Sequence, residues 1–166
     1  MSVSPALANY HSFASAGLTD IYSPSLLQTA IRLEANELAS GILVNDSDGK
    51  FDFIQLPRLA QIAPSFGLAF LQANGDSHID LYVSQNFYGP QRETGRMAGG
   101  VGTLLLGNGD ASFTAVGPSK SGIIIPNDAR HAAALDINDD GKDDLAVAVN
   151  NGQVRILQRI DDEKPK

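Results

Sequence analysis

The sequence predicts an all-β fold, a partial β-propeller of about two to three four-stranded blades preceded by a short N-terminal α-helix. After Gly41 the chain becomes a series of short β-type runs separated by Gly, Asn and Asp. A strand, an acidic loop and a second strand at residues 66–86 recur at 130–150, and a hairpin at 42–51 recurs at 104–113. The two repeated parts give four strands per unit, and such sheets repeated in series are propeller blades.

The length, charge and composition of the chain exclude several classes of partner and site. The 166 residues suffice for one compact domain, and they carry a net charge of −7 and no cysteine. An acidic balance argues against nucleic acid or an anionic membrane as a partner, and the lack of cysteine excludes disulfides and zinc–thiolate sites. Residues 1–22 have no signal-peptide pattern, and no window approaches the roughly 20 apolar residues of a membrane span. We therefore expect a soluble chain without membrane insertion, and a fragment or shortened product if its relatives are exported.

One helix is predicted, within the N-terminal segment at residues 1–37. Ser23 is a suitable N-cap, and Pro24 suits the first helical position. Apolar residues then fall near one helical face, at Leu27, Ile31 and Leu38. These signals predict a helix from about Pro24 to Asn36.

The β-type runs divide into three blade-like spans. The Asp48-Gly49 pair in "NDSDGKFD" (45–52) is a hairpin signal. Strands are predicted in "ILVN", "FDFIQLP", "GLAFLQ", "DLYVSQN", "VGTLLLG", "FTAVG", "GIIIP", "AAALDI", "LAVAVN" and "QVRILQ". The resulting organisation is a partial blade at 38–57, a full blade at 66–117, most of a third at 130–160, and a solvated tail at 161–166. Because about 4–8 blades close a propeller, the open edges require further blades, self-association or the helix as cover.

The second acidic loop, "DINDDGKDD" (136–144), has the spacing of a calcium loop. Counted from Asp136, side-chain oxygens fall at positions 1, 3, 5 and 9, glycine takes position 6, and position 7 offers a backbone carbonyl. Hard oxygen ligands at this spacing suit calcium better than magnesium, which demands tighter octahedral geometry. Position 12 is a valine within a β-type run, so the loop is not an EF-hand. The predicted metal ligands are Asp136, Asn138, Asp140, Lys142 through its carbonyl, and Asp144.

The first acidic loop, "QANGDSHID" (72–80), is a weakened copy of the second. Position 1 is glutamine instead of aspartate, and serine replaces the glycine at position 6. Two interpretations stay open: a second, weaker metal site, or a loop held by hydrogen bonds from its side chains to backbone amides. The candidate ligands of the second site are Gln72, Asn74, Asp76, His78 through its carbonyl, and Asp80.

No catalytic constellation stands out, so we expect no enzyme activity. "GPSKSG" is not a nucleophile elbow, and neither a zinc-protease pattern nor a phosphate-binding loop is present. His11, His78 and His131 are scattered along the chain. "FYGPQRETGRMAGG" (87–100) is an insertion relative to the later repeat, and it brings Arg92 and Arg96 into an acidic background.

These residues resemble the FG-GAP/VCBS repeat family, the calcium-binding blades of integrin-α-like β-propellers. The family loop, D-x-[DN]-x-D-G-x-x-D-[LF], is met in full by "DINDDGKDDL" and in part by "QANGDSHIDL". The segments around these loops look like bacterial multi-repeat members, often linked with an ASPIC/UnbV segment. The resemblance covers roughly residues 38–157. It implies a secreted or cell-surface setting, calcium as a structural ion, and a role in adhesion or binding.

The expected function is therefore a calcium-binding propeller module that binds a protein or carbohydrate ligand as part of a larger exported protein. The alternative is a non-catalytic propeller portion of an exported enzyme whose active site lies outside this chain. An enzyme with an unrecognised site is a third interpretation.

Overall fold

The computed structural model describes residues 9–160. The chain divides into two compact units, Met1–Leu38 and Ala39–Lys166, and each is treated by itself below. The predicted tail at 161–166 lies outside the described residues.

Residues 9–38 of the first unit contain three short helices: α1 (Tyr10–Ala14), α2 (Leu18–Ile21) and α3 (Pro24–Thr29). Helix α3 begins as predicted, because the Ser23 hydroxyl accepts a hydrogen bond from the backbone N–H of Leu26. It ends at Thr29 instead of near Asn36. Ile31 and Leu33 are 88% and 89% exposed, so no packing stabilises further turns, and a helix this short is marginal without packing.

The second unit contains three antiparallel sheets. Sheet 1 is the hairpin of β1 (Gly41–Asn45) and β2 (Phe51–Gln55), whose turn carries Gly49 at φ 82° and confirms the hairpin predicted there. Sheet 2 is a four-stranded meander of β3 (Ser65–Leu71), β4 (Asp80–Gln85), β5 (Thr103–Gly107) and β6 (Phe113–Val116). Sheet 3 contains β7 (Ala129–Leu135), β8 (Asp144–Val149) and β9 (Arg155–Leu157).

Sheet 2 packs between the other two sheets. One hydrophobic cluster joins Ala69, Leu71 and Tyr82 of sheet 2 to residues of sheet 3 such as Ala132 and Val147. A second cluster joins the opposite face of sheet 2 to the β1–β2 hairpin and the segment after it, through Leu81, Val83, Leu105, Ile42, Leu56 and Ala60. Strand β4 in the middle of sheet 2 is therefore buried on both faces.

The contact between β3 and β7 is unusually close because of Gly67. A Cβ atom at Gly67 would lie 2.5 Å from the Cα of His131 and 2.8 Å from the backbone nitrogen of Ala132. Only a residue without a side chain permits this approach of two backbones. The sequence pattern marked Gly67 as part of a strand but not as the point where two sheets touch.

One predicted strand is not formed. "GIIIP" is irregular, although Ile123 and Ile125 are buried and the backbone N–H of Ile125 donates to the carbonyl of Val101 at 2.8 Å. The segment buries alternate side chains in the core without lying beside a partner strand, so burial alone produced the strand-like pattern. Short helices at Arg58–Gln61 and at Pro118–Ser121 (α4) were not predicted.

The chain is thus mostly β with a small helical content, as predicted at the level of fold class. The described residues form sheets of two, four and three strands and no closed barrel. The four-stranded sheet, β3 to β6, falls where the sequence repeat places its complete unit.

Candidate metal centre

Two acidic loops occupy the same place in successive sheets. Loop A (residues 72–80) leads from β3 to β4, and loop B (residues 136–144) leads from β7 to β8. The loops are in contact. The backbone N–H of Gln72 donates to a carboxylate oxygen of Asp143 at 2.8 Å, and the Arg159 guanidinium donates to the carbonyl of Gln72 at 3.0 Å.

The last aspartate of each loop is buried and holds the loop to its own sheet. Asp80 is 0% exposed and accepts the backbone N–H groups of Ala73 and Gly107, at 2.7 and 3.0 Å. Asp144 is 1% exposed and accepts those of Ile137 and Arg159, at 3.3 and 2.9 Å. Each therefore joins position 2 of the loop to the end of the third strand, a role that the nine-residue spacing did not reveal.

The first half of loop B brings three predicted ligands together. The backbone N–H of Asp140 lies 3.1 Å from Asp136 Oδ1 and 3.2 Å from Asn138 Oδ1. The amide of Asn138 donates in turn to Asp140 Oδ2 at 3.1 Å. The side chains at positions 1, 3 and 5 therefore lie close together.

The backbone of loop B turns at the position where the sequence places glycine. Gly141 has φ 80°, a left-handed conformation, and a Cβ there would meet nothing within 4 Å. Glycine is therefore favoured here by the left-handed backbone conformation and not by a lack of space for a side chain. Its N–H donates to Asp136 at 2.7 Å, and the N–H of Lys142 donates to Asp140 at 3.0 Å.

Loop B has the donor chemistry of a hard-cation site. The carboxylates of Asp136 and Asp140 and the amide oxygen of Asn138 accept the backbone N–H groups of one turn, which hold these oxygens in place. In the described part of the chain no group of three or more Asp, Glu, His or Cys side chains has the arrangement of a metal site. The predicted set also uses Asn138 and a backbone carbonyl, which fall outside those four residue types.

Loop A holds its side chains differently. The Gln72 amide donates to the carbonyl of His78 at 2.6 Å. Asp76 accepts from the backbone N–H of His78 and from the Asn74 amide, both at 2.7 Å. The hydrogen bond from His78, followed by that from Asn74, lowers the pKa of Asp76 below its usual value.

At the opposite end of the sheets two asparagines occupy equivalent positions. The fully buried Asn86 exchanges two hydrogen bonds with the backbone of Gly100, both at 2.8 Å, and also donates to the carbonyl of Asn127. Asn150 donates to Asp128 at 3.0 Å. The repeat had matched Asn86 with Asn150, but only the structure shows that Asn86 closes the base of the insertion at 87–100.

Asp128 and Arg130 form an ion pair that sequence reasoning missed, with the aspartate buried and the arginine partly exposed. Their side chains approach to 3.0 Å, and Asp128 is 2% exposed. The Arg130 guanidinium also lies over the rings of Phe66 and Phe87, at 4.1 and 4.8 Å. Burial acts to raise the pKa of Asp128, but hydrogen bonds from Asn150 and Arg130 and the charge of Arg130 prevail and lower it. No local motif marked this pair, because its aromatic partners lie far away in the sequence.

The insertion at 87–100 is an ordered hairpin-like loop. Phe87 and Met97 pair through two backbone hydrogen bonds of 2.9 Å, and the Tyr88 hydroxyl donates to the carbonyl of Pro126 at 2.6 Å. Arg96 lies over the Tyr88 ring at 4.6 Å. The exposed Arg92 lies between the paired positions.

The three histidines lie in different elements. His11 is in α1 of the first unit, His78 is in loop A, and His131 is on β7.

Comparison with known proteins identifies one segment. Residues 129–157 match the family model of the FG-GAP repeat, and these bounds are the first residue of β7 and the last residue of β9. The match therefore covers the whole of sheet 3 together with loop B, and this part of the chain is similar to an FG-GAP repeat. No curated protein and no solved structure matched the chain.

Among residues 9–160, no helix has the length and apolar character needed to cross a membrane.

Proposed function

We propose that this chain is a calcium-stabilised segment of a β-propeller, and that it acts as a non-catalytic binding or adhesion module of a larger exported protein. The observation that carries the proposal is loop B. It lies inside the segment that is similar to an FG-GAP repeat, and the side chains of three of its predicted ligands lie close together. The exported setting follows from the family resemblance alone.

Loop B is the proposed calcium site. The ligands would be Asp136, Asn138, Asp140, the carbonyl of Lys142, and Asp144. Bound calcium would neutralise carboxylates that repel one another at this density. The residues themselves fix the turn, because Gly141 supplies the left-handed backbone and Asp144 holds the loop to the end of β9. Binding to the folded state alone then stabilises the pairing of β7 with β8.

Uncovered sheet faces support the proposal that further blades flank this segment. Gly67, Ala69 and Leu71 of β3 face sheet 3 and are buried, whereas their repeat equivalents on β7, His131, Ala133 and Leu135, are exposed. On the other face of β3, three large apolar side chains are 44–64% exposed: Phe66, Leu68 and Phe70. Burying one such side chain fully contributes about 1.5–3 kcal/mol. Since the repeat buries the equivalent faces inside the chain, further copies of the same repeat are the occupant that fits.

The insertion at 87–100 is the proposed contact surface for a protein or carbohydrate ligand. It is anchored at its base by Asn86 and Gly100 and braced by Tyr88 against Pro126. A braced loop presents Arg92 and Arg96 with little loss of conformational freedom on binding. It also lies at the end of the sheets opposite the acidic loops, so the two roles are separable.

Titration of the chain with calcium, measured by calorimetry, tests the primary proposal. We expect the wild-type chain to bind calcium with a dissociation constant of about 10⁻⁴–10⁻³ M and magnesium more weakly. Asp140→Asn should weaken binding about tenfold or more, because it removes charge from a ligand position. Asp139→Asn is the matched control.

The control removes the same charge from the same loop, at a residue outside the ligand positions. Asp139 has φ 60°, which asparagine tolerates. Equal loss of affinity in the two variants would mean that overall charge, and not ligation by loop B, accounts for calcium binding.

A further inference from the structure

Loop A and loop B have equivalent places in their sheets, so they can be compared position by position. Both follow the first strand of a sheet, and both end in a buried aspartate that accepts the backbone N–H of position 2. The same aspartates accept a second N–H from equivalent residues, Gly107 and Arg159, at the end of the third strand.

Position 1 is a hydrogen-bond acceptor in loop B and a hydrogen-bond donor in loop A. In loop B it is Asp136, a carboxylate that accepts hydrogen bonds. In loop A it is Gln72, whose Nε2 donates to the carbonyl of His78 at 2.6 Å. A calcium loop directs positions 1 and 7 at the ion from two sides, whereas here an amide donor joins them directly. The donor thus occupies one of the two lone pairs of the carbonyl that would face a cation.

The amide orientation is fixed by this bond. Rotating the amide would place Gln72 Oε1 against the carbonyl of His78, and two acceptors would face each other. As oriented, Oε1 is buried without a hydrogen-bond partner among the described residues. The Gln72 atom that contacts the position 7 carbonyl is therefore a hydrogen-bond donor and not an oxygen ligand.

Three further hydrogen bonds of loop A are shorter than their counterparts in loop B. The Asn74 amide lies 2.7 Å from Asp76, against 3.1 Å for Asn138 and Asp140. The N–H of His78 lies 2.7 Å from Asp76, against 3.0 Å for Lys142 and Asp140. The N–H of Ala73 lies 2.7 Å from Asp80, against 3.3 Å for Ile137 and Asp144.

The turn and the local charge of loop A also differ from those of loop B, and both differences disfavour a metal ion. Gly141 has φ 80° at position 6 of loop B, whereas Ser77 at that position of loop A has no positive φ. A permanent cation also lies beside loop A. The Arg159 guanidinium donates to the carbonyl of Gln72 at 3.0 Å and lies 3.0 Å from where a Cβ of Gly75 would stand. A fixed positive charge there opposes the entry of a metal ion.

We propose that loop A is a metal-independent copy of the calcium loop, in which the Gln72 amide and the Arg159 guanidinium supply from within the protein the positive partners that loop B takes from an ion. The described segment then has one calcium site, in loop B. The assignment of that site to loop B rests on the function proposed above, whereas the metal independence of loop A rests on its own contacts.

Calorimetric stoichiometry tests this proposal with calcium alone as the probe. The wild-type chain should bind one ion, and Asp76→Asn in loop A should leave the stoichiometry and the affinity within about twofold of wild type. Asp140→Asn serves as the loop B comparison. Gln72→Asp, which removes the donor and adds a carboxylate at position 1, should raise the stoichiometry to two.

The outcomes separate the two claims. Two ions in the wild-type chain, reduced to one by Asp76→Asn, would overturn the metal independence of loop A and leave the calcium site of loop B standing. No binding to the wild-type chain would overturn the loop B site, and a new site in Gln72→Asp would then still support the proposal for loop A. If Gln72→Asp does not fold, hydrogen exchange of the wild-type chain decides. Amides of residues 74–78 should exchange equally in EDTA and in calcium, and protection that appears only with calcium would overturn the proposal.

Discussion

The packing of sheet 2 on sheet 3 depends on the absence of a side chain at Gly67. In Gly67→Ala the new Cβ would lie 2.5 Å from the Cα of His131 and 2.8 Å from the backbone nitrogen of Ala132. Both neighbours are backbone atoms, so no side chain can rotate away. Carbon atoms at optimal contact lie about 3.5–4.0 Å apart, so β3 and β7 must separate by about 1 Å.

The cost follows from two opposing effects. Overpacking in a well-packed core costs about 1–3 kcal/mol. Replacing glycine by alanine returns about 0.4–1 kcal/mol through the lower entropy of the unfolded chain. We therefore expect Gly67→Ala to lower the free energy of unfolding by about 1–2 kcal/mol and Tm by about 2–8 °C.

Chemical and thermal unfolding at a fixed calcium concentration, followed by circular dichroism, measure this loss. Gly117→Ala is the matched control, because a Cβ at Gly117 would meet nothing within 4 Å and its φ is −67°. It should change the stability by no more than about 0.5 kcal/mol in either direction. A Gly67→Ala protein as stable as the control would refute the close backbone contact of β3 with β7.

Two further predictions concern the end of the sheets opposite the acidic loops. Replacing residues 90–95 by an Asn-Gly turn should abolish binding to glycan and protein arrays and leave the calcium stoichiometry unchanged. Unchanged array binding would show that the insertion at 87–100 is not the contact surface for the ligand. The lowered pKa of Asp128 contributes stability above the unfolded pKa of about 3.9, and this is lost as pH falls through the folded pKa. The Tm difference between wild type and Asp128→Asn should therefore be constant above about pH 5 and shrink toward pH 3, and a gap that persists at pH 3 would contradict the prediction.

The strands were predictable because they are encoded locally. Alternation of apolar residues and the Asp48-Gly49 turn signal place β1 and β2 close to their observed bounds. The repeat at a shift of 64 residues places loops A and B in the same frame, since the chain builds the same strand pair twice.

Features that depend on distant residues were not predictable in the same way. The spacing of Ile31 and Leu38 predicts a helix that extends past Thr29, yet both side chains are 88% exposed and do not pack on the described part of the chain. The β-type run "GIIIP" predicts a strand, but no strand among residues 9–160 pairs with it. Burial and spacing are local signals, whereas the presence of a packing partner is a property of the fold.

The sequence named the residues of the candidate site but not the hydrogen bonds that hold the two loops. Spacing alone named the oxygens of loop B and the weakened copy in loop A. It did not show that Asp80 and Asp144 hold their loops to the third strands, or that Arg159 reaches from sheet 3 to the carbonyl of Gln72. Those contacts join residues far apart in the sequence, so no local spacing encodes them.

The central claim is that loop B is a structural calcium site, and thermal unfolding of the wild-type chain and Asp140→Ala, in EDTA and in 10 mM calcium, tests it most directly. With a dissociation constant of about 10⁻⁴–10⁻³ M, calcium should stabilise the wild-type chain by about 1.4–2.7 kcal/mol and raise Tm by about 4–10 °C. Asp140→Ala should melt at the same temperature in both buffers. A cooperative wild-type transition that calcium does not move, or an equal rise in Asp140→Ala, would contradict the account.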